Sequence, residues 1–234
     1  MNQLLLNSDI FELPHGISPK EHSKNLDKFF GFKIIKVEQK LLKKYRPFYI
    51  ADETSIKESY QKNSEAWIGL HPQTLMTPYS EILEILYSIS SFKILRITDF
   101  GCAYGRIGIV ASSMNPLCEF TGFEVVSERA REGRRIFNNL NLNLNQILTQ
   151  NILDQDFDIP ISDVYFIYDF GHVEHIKIIL KKLSDIINNH DFVLIAKGDE
   201  VRSIIQLYFP IFYSRHQPIH KKGWSAYINY SQTI

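Results

Sequence analysis

Beyond about residue 93, short apolar runs rich in β-forming residues alternate with stretches that have helical periodicity. The predicted strands are 93–100, 119–126, 145–152, 163–170 and 191–197. The predicted helices between and after them lie near 105–114, 127–140, 173–188 and 199–206. Such alternation is typical of a parallel sheet with helices on both faces. The pattern therefore predicts an α/β fold.

The two ends of the chain have different patterns. Residues 208–215 and 223–232 are aromatic and β-branched, and the Pro- and Gly-containing segment between them has no helical period, which predicts an antiparallel hairpin. At the other end, 18–32 and 54–70 look helical, whereas 32–50 is ambiguous. A helix at 77–89 is expected to lead into the first strand. We therefore predict a mostly helical N-terminal cap over 1–75 and a second domain over 76–234.

Composition narrows the choice of partners and compartment. The 26 Lys and Arg residues balance 26 Asp and Glu residues, so net charge gives no reason to expect a nucleic acid or a membrane as partner. Two cysteines, Cys102 and Cys118, are too few for a disulfide framework and suit a reducing compartment. The N-terminus lacks a signal-peptide pattern, and no apolar run approaches the roughly 18 residues of a spanning helix. We expect a cytoplasmic protein.

The stretch "ITDFGCAYGRIGI", residues 97–109, follows the first predicted strand with small residues at alternate positions, Gly101, Ala103 and Gly105. Small residues let the backbone turn tightly into a helix whose N-terminal amides can face a ligand. A dinucleotide loop, G-x-G-x-x-G/A, would need a small residue where Arg106 stands. The Asp99 carboxylate at the strand end would repel a pyrophosphate but suits an ammonium group. A tight turn without a ligand remains the alternative.

Asp99, Gly101, Ala103 and Gly105 together resemble motif I of the class I S-adenosylmethionine (SAM)-dependent methyltransferases. The resemblance covers roughly residues 75–234 and implies a seven-stranded, mostly parallel sheet that ends in an antiparallel hairpin. It also implies SAM as the cofactor, with its methionine end held by this loop. Ala103 replaces the family's middle glycine, and we expect it to be tolerated if its backbone keeps a negative φ.

The same resemblance assigns further cofactor contacts at the ends of the next two strands. Glu124 stands where the family places an acidic residue that accepts hydrogen bonds from both ribose hydroxyls. Asn151 stands where the family often has an Asp that bonds the adenine amino group, and an Asn carbonyl oxygen can also accept. Ile152 would supply a backbone amide to the adenine ring.

A Thr-Pro segment opens the helix ahead of motif I. It is similar to the corresponding segment of protein lysine methyltransferases that lack a SET domain, in which it helps to close over the cofactor. The similarity implies this role for Thr77 and Tyr79. Thr-Pro is also simply a good helix start, with Pro at the first position.

The family's variable catalytic motif follows the fourth strand and reads "YFIYDFGHVEH" here. Tyr168, Asp169 and His172 are the residues expected to line the methyl site. Asp169 would orient or deprotonate an amine, and His172 would relay a proton near neutral pH. We expect Glu174 and His175 on the surface of the next helix.

The class of methyl acceptor is narrowed mainly by the family motifs that the sequence lacks. The chain lacks both prolines of the Asn-Pro-Pro-Tyr motif of base-amino methyltransferases, and no cysteine follows the fourth strand as in pyrimidine C5 enzymes. Asp199 and Glu200 lack the Asp-Asn pair of Mg²⁺-dependent O-methyltransferases, so a metal is not expected. The leading hypothesis is methyl transfer to a nitrogen or oxygen of a protein side chain such as lysine. The alternatives are a small-molecule N- or O-methyltransferase and a SAM-fold binding protein without turnover.

Overall fold

The computed structural model describes residues 7–50, residue 68 and residues 71–230. The helix predicted at 54–70 lies, apart from residue 68, outside the described residues. The strands of the described part form one seven-stranded sheet in the order β3-β2-β1-β4-β5-β7-β6. They are β1 (Arg96–Phe100), β2 (Glu119–Glu124), β3 (Asn145–Thr149), β4 (Val164–Tyr168), β5 (Phe192–Lys197), β6 (Ile219–His220) and β7 (Trp224–Asn229).

The first five strands are parallel, and β7 runs antiparallel to β5 and to β6. Each of these five strands falls within its predicted range, and the predicted α/β fold is confirmed. The described α-helices are α1 (Pro19–Phe29), α2 (Ile34–Ile50), α3 (Pro72–Leu75), α4 (Tyr79–Ser88), α5 (Arg106–Met114), α6 (Ser127–Asn139), α7 (Val173–Ile186) and α8 (Asp199–Tyr208). The ambiguous segment 32–50 is thus mainly helical.

Helices cover both faces of the sheet. On one face, the side chains of Val193 and Ile195 pack into a core shared with α4, α5 and α6. On the other face, Leu194 and Ala196 pack against α7 and α8. Because β5 is buried on both sides, its sequence is a continuous apolar run rather than an alternating one.

The predicted first strand of the hairpin, 208–215, is wrong. Helix α8 continues to Tyr208, and a 3-10 helix follows at Pro210–Tyr213. The first strand of the hairpin that ends in β7 is instead the two-residue β6, which lies in the segment expected to be the turn. The aromatic content of 208–215 reflects core packing, since Phe212 is fully buried beside Phe192. Pro210 fits the start of the 3-10 helix, where its missing N–H costs nothing.

The N-terminal helices pack onto the α/β part. Helix α1 contacts α4, and α2 contacts α6. The Phe11 and Phe30 rings lie with centroids 5.4 Å and 5.9 Å from that of Tyr79 on α4. The cap therefore shares a core with the sheet, and the division at residue 75 stays a prediction. Among the described helices, none combines the length and apolar character needed to cross a bilayer.

Candidate active site

The loop between β1 and α5 makes a tight turn at the carboxyl edge of the sheet. The amides of Gly101 and Cys102 both donate to the Phe123 carbonyl at 2.9 Å, which ties the loop to β2. Gly101 and Gly105 have φ of 79° and 78°, and Gly105 is the N-cap of α5. Left-handed φ values favour glycine, so the backbone conformation explains why glycine stands at these two positions.

Ala103 has a φ of 50°, so the negative φ on which its tolerance was expected to depend is not present. It is the first central residue of a turn closed by a hydrogen bond from the Gly105 amide to the Cys102 carbonyl, at 2.9 Å. Glycine dominates such a position when its φ must be positive. The Ala103 amide donates to Glu124 Oε2 at 3.0 Å, which helps to fix this conformation.

Asp99 and Glu124 place two carboxyl groups beside this loop. Both are buried, and Glu124 Oε1 also accepts from the Val126 amide at 2.7 Å. Burial raises the pKa of Glu124, while Arg129 and the two amides oppose that rise. Burial and the neighbouring Glu124 together raise the pKa of Asp99 to about 8. Two acids in one buried site favour a ligand that brings hydrogen-bond donors and positive charge.

Two pockets meet at the loop. The wide pocket, about 680 Å³ including space open to solvent, lies on the side of β2 and β3. It is lined by residues that include Glu124, Arg129, Asn151, Ile152, Asp169 and His175. The narrow pocket, about 490 Å³ counted in the same way, lies beside α4, and its lining includes Met76, Thr77, Asp99, Arg106 and Lys197. Gly101, Ala103 and Tyr168 border both pockets. Of the residues predicted to contact or cover the cofactor, Gly105 and Tyr79 line neither pocket.

Asn151 forms a local turn beside the wide pocket. Its Nδ2 donates to Asp154 Oδ1 at 2.9 Å, and its Oδ1 accepts from the Leu153 amide at 3.1 Å. A carbonyl oxygen has two lone pairs, so Oδ1 can still accept from a ligand. Asn151 thus lines the wide pocket just after β3, and the two hydrogen bonds fix its side-chain orientation.

Tyr168 ends β4 and borders both pockets, and the next residue, Asp169, lines the wide pocket. Asp169 Oδ1 is buried and accepts no hydrogen bond from any described residue. Burial, with a smaller contribution from Glu200, raises the pKa of the Asp169 carboxyl. A buried carboxylate oxygen without a donor is costly unless a ligand supplies one.

The two histidines after β4 are placed differently from the prediction. His172 is the exposed N-cap residue of α7 and lines neither pocket, so the expected proton relay through His172 is not supported. His175 is half-buried and lines the wide pocket, so the expectation of a surface position is wrong for it. Its place in the first turn of α7 could have indicated this, because helical side chains tilt toward the N-terminus. Glu174 is exposed, as expected.

Lys197 is a polar residue of the narrow pocket that the sequence analysis did not identify. Its Nζ lies 2.6 Å from Glu81 Oε1 and 5.1 Å from the centroid of the Tyr168 ring. A lysine at the end of an otherwise apolar buried strand was the available signal. Within residues 7–50 and 71–230, no group of three or more His, Cys, Asp or Glu side chains is placed to hold a metal ion.

Comparison with known proteins gives structural matches only. No family model and no curated protein matches the sequence at a significant level. A Klebsiella pneumoniae protein assigned as an O-methyltransferase aligns over 83% of this chain and 97% of its own, with 13% identity and a TM-score of 0.51. The 16S rRNA methylase RmtB aligns over 82% and 89%, with 8% identity and the same TM-score of 0.51. The chain has the class I methyltransferase fold.

Two structures of the StiE O-MT segment also match, with 16% identity and TM-scores of 0.40 and 0.42. The alignments cover 41% and 50% of those two chains, so this chain spans no more than half of either. A class I fold serves many reactions, so the activity has to be argued from the residues of the site.

Proposed function

We propose that this protein is a SAM-dependent methyltransferase with an amine nitrogen as its preferred acceptor. The observation that carries the proposal is the pair of buried carboxyl groups, Asp99 and Glu124, on either side of the left-handed loop where the two pockets meet. SAM carries an ammonium group and a ribose diol, and each of these donates to a carboxylate. When bound, it supplies a methyl group on a positively charged sulfur.

The lining residues fit the two halves of this cofactor. Glu124 would accept hydrogen bonds from the ribose hydroxyls, with Asn151 and Ile152 beside the adenine in the wide pocket. In the narrow pocket, Asp99 would accept from the methionine ammonium, and Thr77 would cover that end. Gly101 and Ala103 border both pockets, and Gly105 holds the turn between them.

Asp169 is the proposed group for the acceptor. Its unpartnered Oδ1 can accept an N–H of an amine, and its raised pKa improves it as a base. Methyl transfer is an in-line displacement, so holding the nucleophile in position supplies much of the rate. The half-buried Tyr168 would form one wall of the methyl site, at the junction of the pockets.

A protein lysine is the leading acceptor, and its support is the sequence similarity around Thr77 and Tyr79. Thr77 lines the narrow pocket, consistent with a covering role. Tyr79 is fully buried and donates through its hydroxyl to Asp27 Oδ1 at 3.1 Å, so its role is to anchor α4 to the cap. A small amine is the alternative acceptor, because the Asp169 carboxyl would serve either.

Incubation with tritium-methyl SAM and a cell lysate tests the proposal. We expect label in the protein fraction, and we expect Asp169→Asn to slow transfer by about 100-fold, in the range of lost general-base catalysis, without weakening binding of the product S-adenosylhomocysteine (SAH). Asp156→Asn, on an exposed residue outside the pockets, is the matched control. Label in a small-molecule fraction would favour the alternative acceptor. Tight SAH binding without any transfer would refute the enzymatic assignment.

A further inference from the structure

Glu38 of the N-terminal cap is a buried carboxylate with every oxygen engaged. Its Oε1 accepts from the Tyr104 hydroxyl and from Arg129 Nε, both at 2.7 Å, and its Oε2 accepts from Arg129 Nη2 at 3.0 Å. Glu38, Tyr104 and Arg129 are all less than 10% exposed. Charge-assisted, two-pronged bonds of this kind are strong and fix geometry.

Both partners of Glu38 lie at the proposed cofactor site, one in its loop and one in the lining of the wide pocket. Tyr104 is the second central residue of the Cys102–Gly105 turn, directly after Ala103. Arg129 lines the wide pocket near Glu124. The Tyr104 ring also packs edge-on against Phe32, at 6.1 Å between centroids, in a small cluster with Ile34 and Met76. A single cap carboxylate therefore reaches the loop and the wall of the wide pocket.

The loop needs such a restraint because Ala103 is left-handed. For an L-residue with a Cβ, this conformation is disfavoured by roughly 5- to 30-fold in population. A strained residue keeps its conformation only where the surroundings enforce it. The restraints on Ala103 are the hydrogen bond to Glu124 on one side and the anchored Tyr104 side chain on the other.

We infer that Glu38 is a positioning residue for cofactor binding: through Tyr104 it holds Ala103 in the left-handed conformation that the loop needs. The cap is then part of the cofactor site, although Glu38 lines neither pocket. This inference rests on the proposed function, since the loop is the one proposed to hold SAM.

A double-mutant cycle between Tyr104→Phe and Ala103→Gly tests the inference, with SAH affinity measured by calorimetry. Glycine adopts a positive φ without strain, so the loop should no longer need the anchor once Ala103 is replaced. We expect Tyr104→Phe alone to weaken SAH binding about five- to tenfold, and to weaken it less than about twofold in the Ala103→Gly background. Glu38→Gln should weaken SAH binding at least as much as Tyr104→Phe, because it also removes the carboxylate that pairs with Arg129.

Lys44→Gln is the matched control. Lys44 Nζ pairs with Glu128 Oε1 at 3.0 Å and links the same two helices, α2 and α6. We expect it to leave SAH affinity unchanged in both backgrounds. An equal loss from Tyr104→Phe in both backgrounds would overturn the inference, because it would indicate general structural support.

A second readout separates this inference from the proposed function. By NMR, a positive φ gives a short distance between the amide and α protons of Ala103. We expect this short distance in the wild type and a longer one in Tyr104→Phe. An unchanged distance would overturn the inference. Failure of the wild type to bind SAH would refute the proposed function, and the Ala103 distance would still decide whether Glu38 and Tyr104 hold the loop.

Discussion

Asp99 shows most clearly how the residues of the site depend on one another. Its carboxyl group is buried beside Glu124, and its pKa rises to about 8 from a usual value near 4. The folded chain therefore binds a proton at Asp99 that the unfolded chain has lost. The contribution of Asp99 to stability is fully present below about pH 4 and is lost as the pH rises through about 8. An ammonium group bound at Asp99 would favour the ionised form.

Binding of SAH is therefore expected to release a proton at neutral pH. Affinity should rise with pH, by up to about tenfold for each unit below the pKa of about 8, and should level off above it. Calorimetry in two buffers of different ionisation enthalpy measures the released proton directly. Asp99→Asn should abolish the release, whereas Asp156→Asn should preserve it. Full affinity at pH 6 without proton release would show that Asp99 does not meet the ammonium.

The positions of several of these residues could be predicted from the sequence, and others could not. The proximity of Asp99 and Glu124 could be predicted because acids at the ends of adjacent parallel strands meet at one edge of the sheet. The backbone conformation of Ala103 could not be predicted, because it depends on a turn and on the Glu124 carboxylate, 21 residues away. Lys197 was missed because its role depends on Glu81, which is distant in sequence.

At the scale of helices and strands, the strand predictions were most accurate where the strand is buried in the sheet. Four of the first five strands, β1, β2, β4 and β5, are mostly buried, and their apolar runs gave positions close to those observed. Residues 208–215 are also apolar, but they belong to the end of α8 and a 3-10 helix packed on the sheet. Apolar character alone does not separate a strand from a buried helical turn. Strand β6 forms because it lies beside β7 and pairs with it. The local sequence of β6 does not indicate that pairing.

The turn after β1 gives an element-scale prediction at Gly101. A Cβ there would lie 2.8 Å from Phe170 Cβ, and φ is 79°. Gly16 has the same φ of 79° with nothing within 4 Å, so Gly16→Ala measures backbone strain alone. In urea unfolding, we expect Gly16→Ala to cost about 1 kcal/mol and Gly101→Ala about 1–3 kcal/mol more, typical of overpacking. Equal costs would mean that the loop and Phe170 separate freely.

At the scale of the whole molecule, a second buried ion pair, between Arg106 and Asp27, joins the α/β part to the N-terminal cap. Arg106 begins α5 directly after the loop, and its remaining hydrogen bonds go to the Thr77 carbonyl at 3.2 Å and to Gln73 at 3.0 Å. The residue that argued against a dinucleotide loop in the sequence thus joins the loop to the cap. Removing one partner of such a pair leaves an uncompensated buried charge. Cap and sheet are therefore expected to unfold together.

The central claim is that the two joined pockets bind SAM through Glu124 and the loop beside it. Calorimetric titration of the full chain with SAH tests this most directly, with Glu124→Gln as the variant and thermal unfolding as the check on its folding. We predict one SAH per chain for the wild type and a loss of about 10- to 100-fold for Glu124→Gln, as for hydrogen bonds to a charged group. Absence of SAH binding by the folded wild type, or unchanged affinity in the folded variant, would contradict the claim.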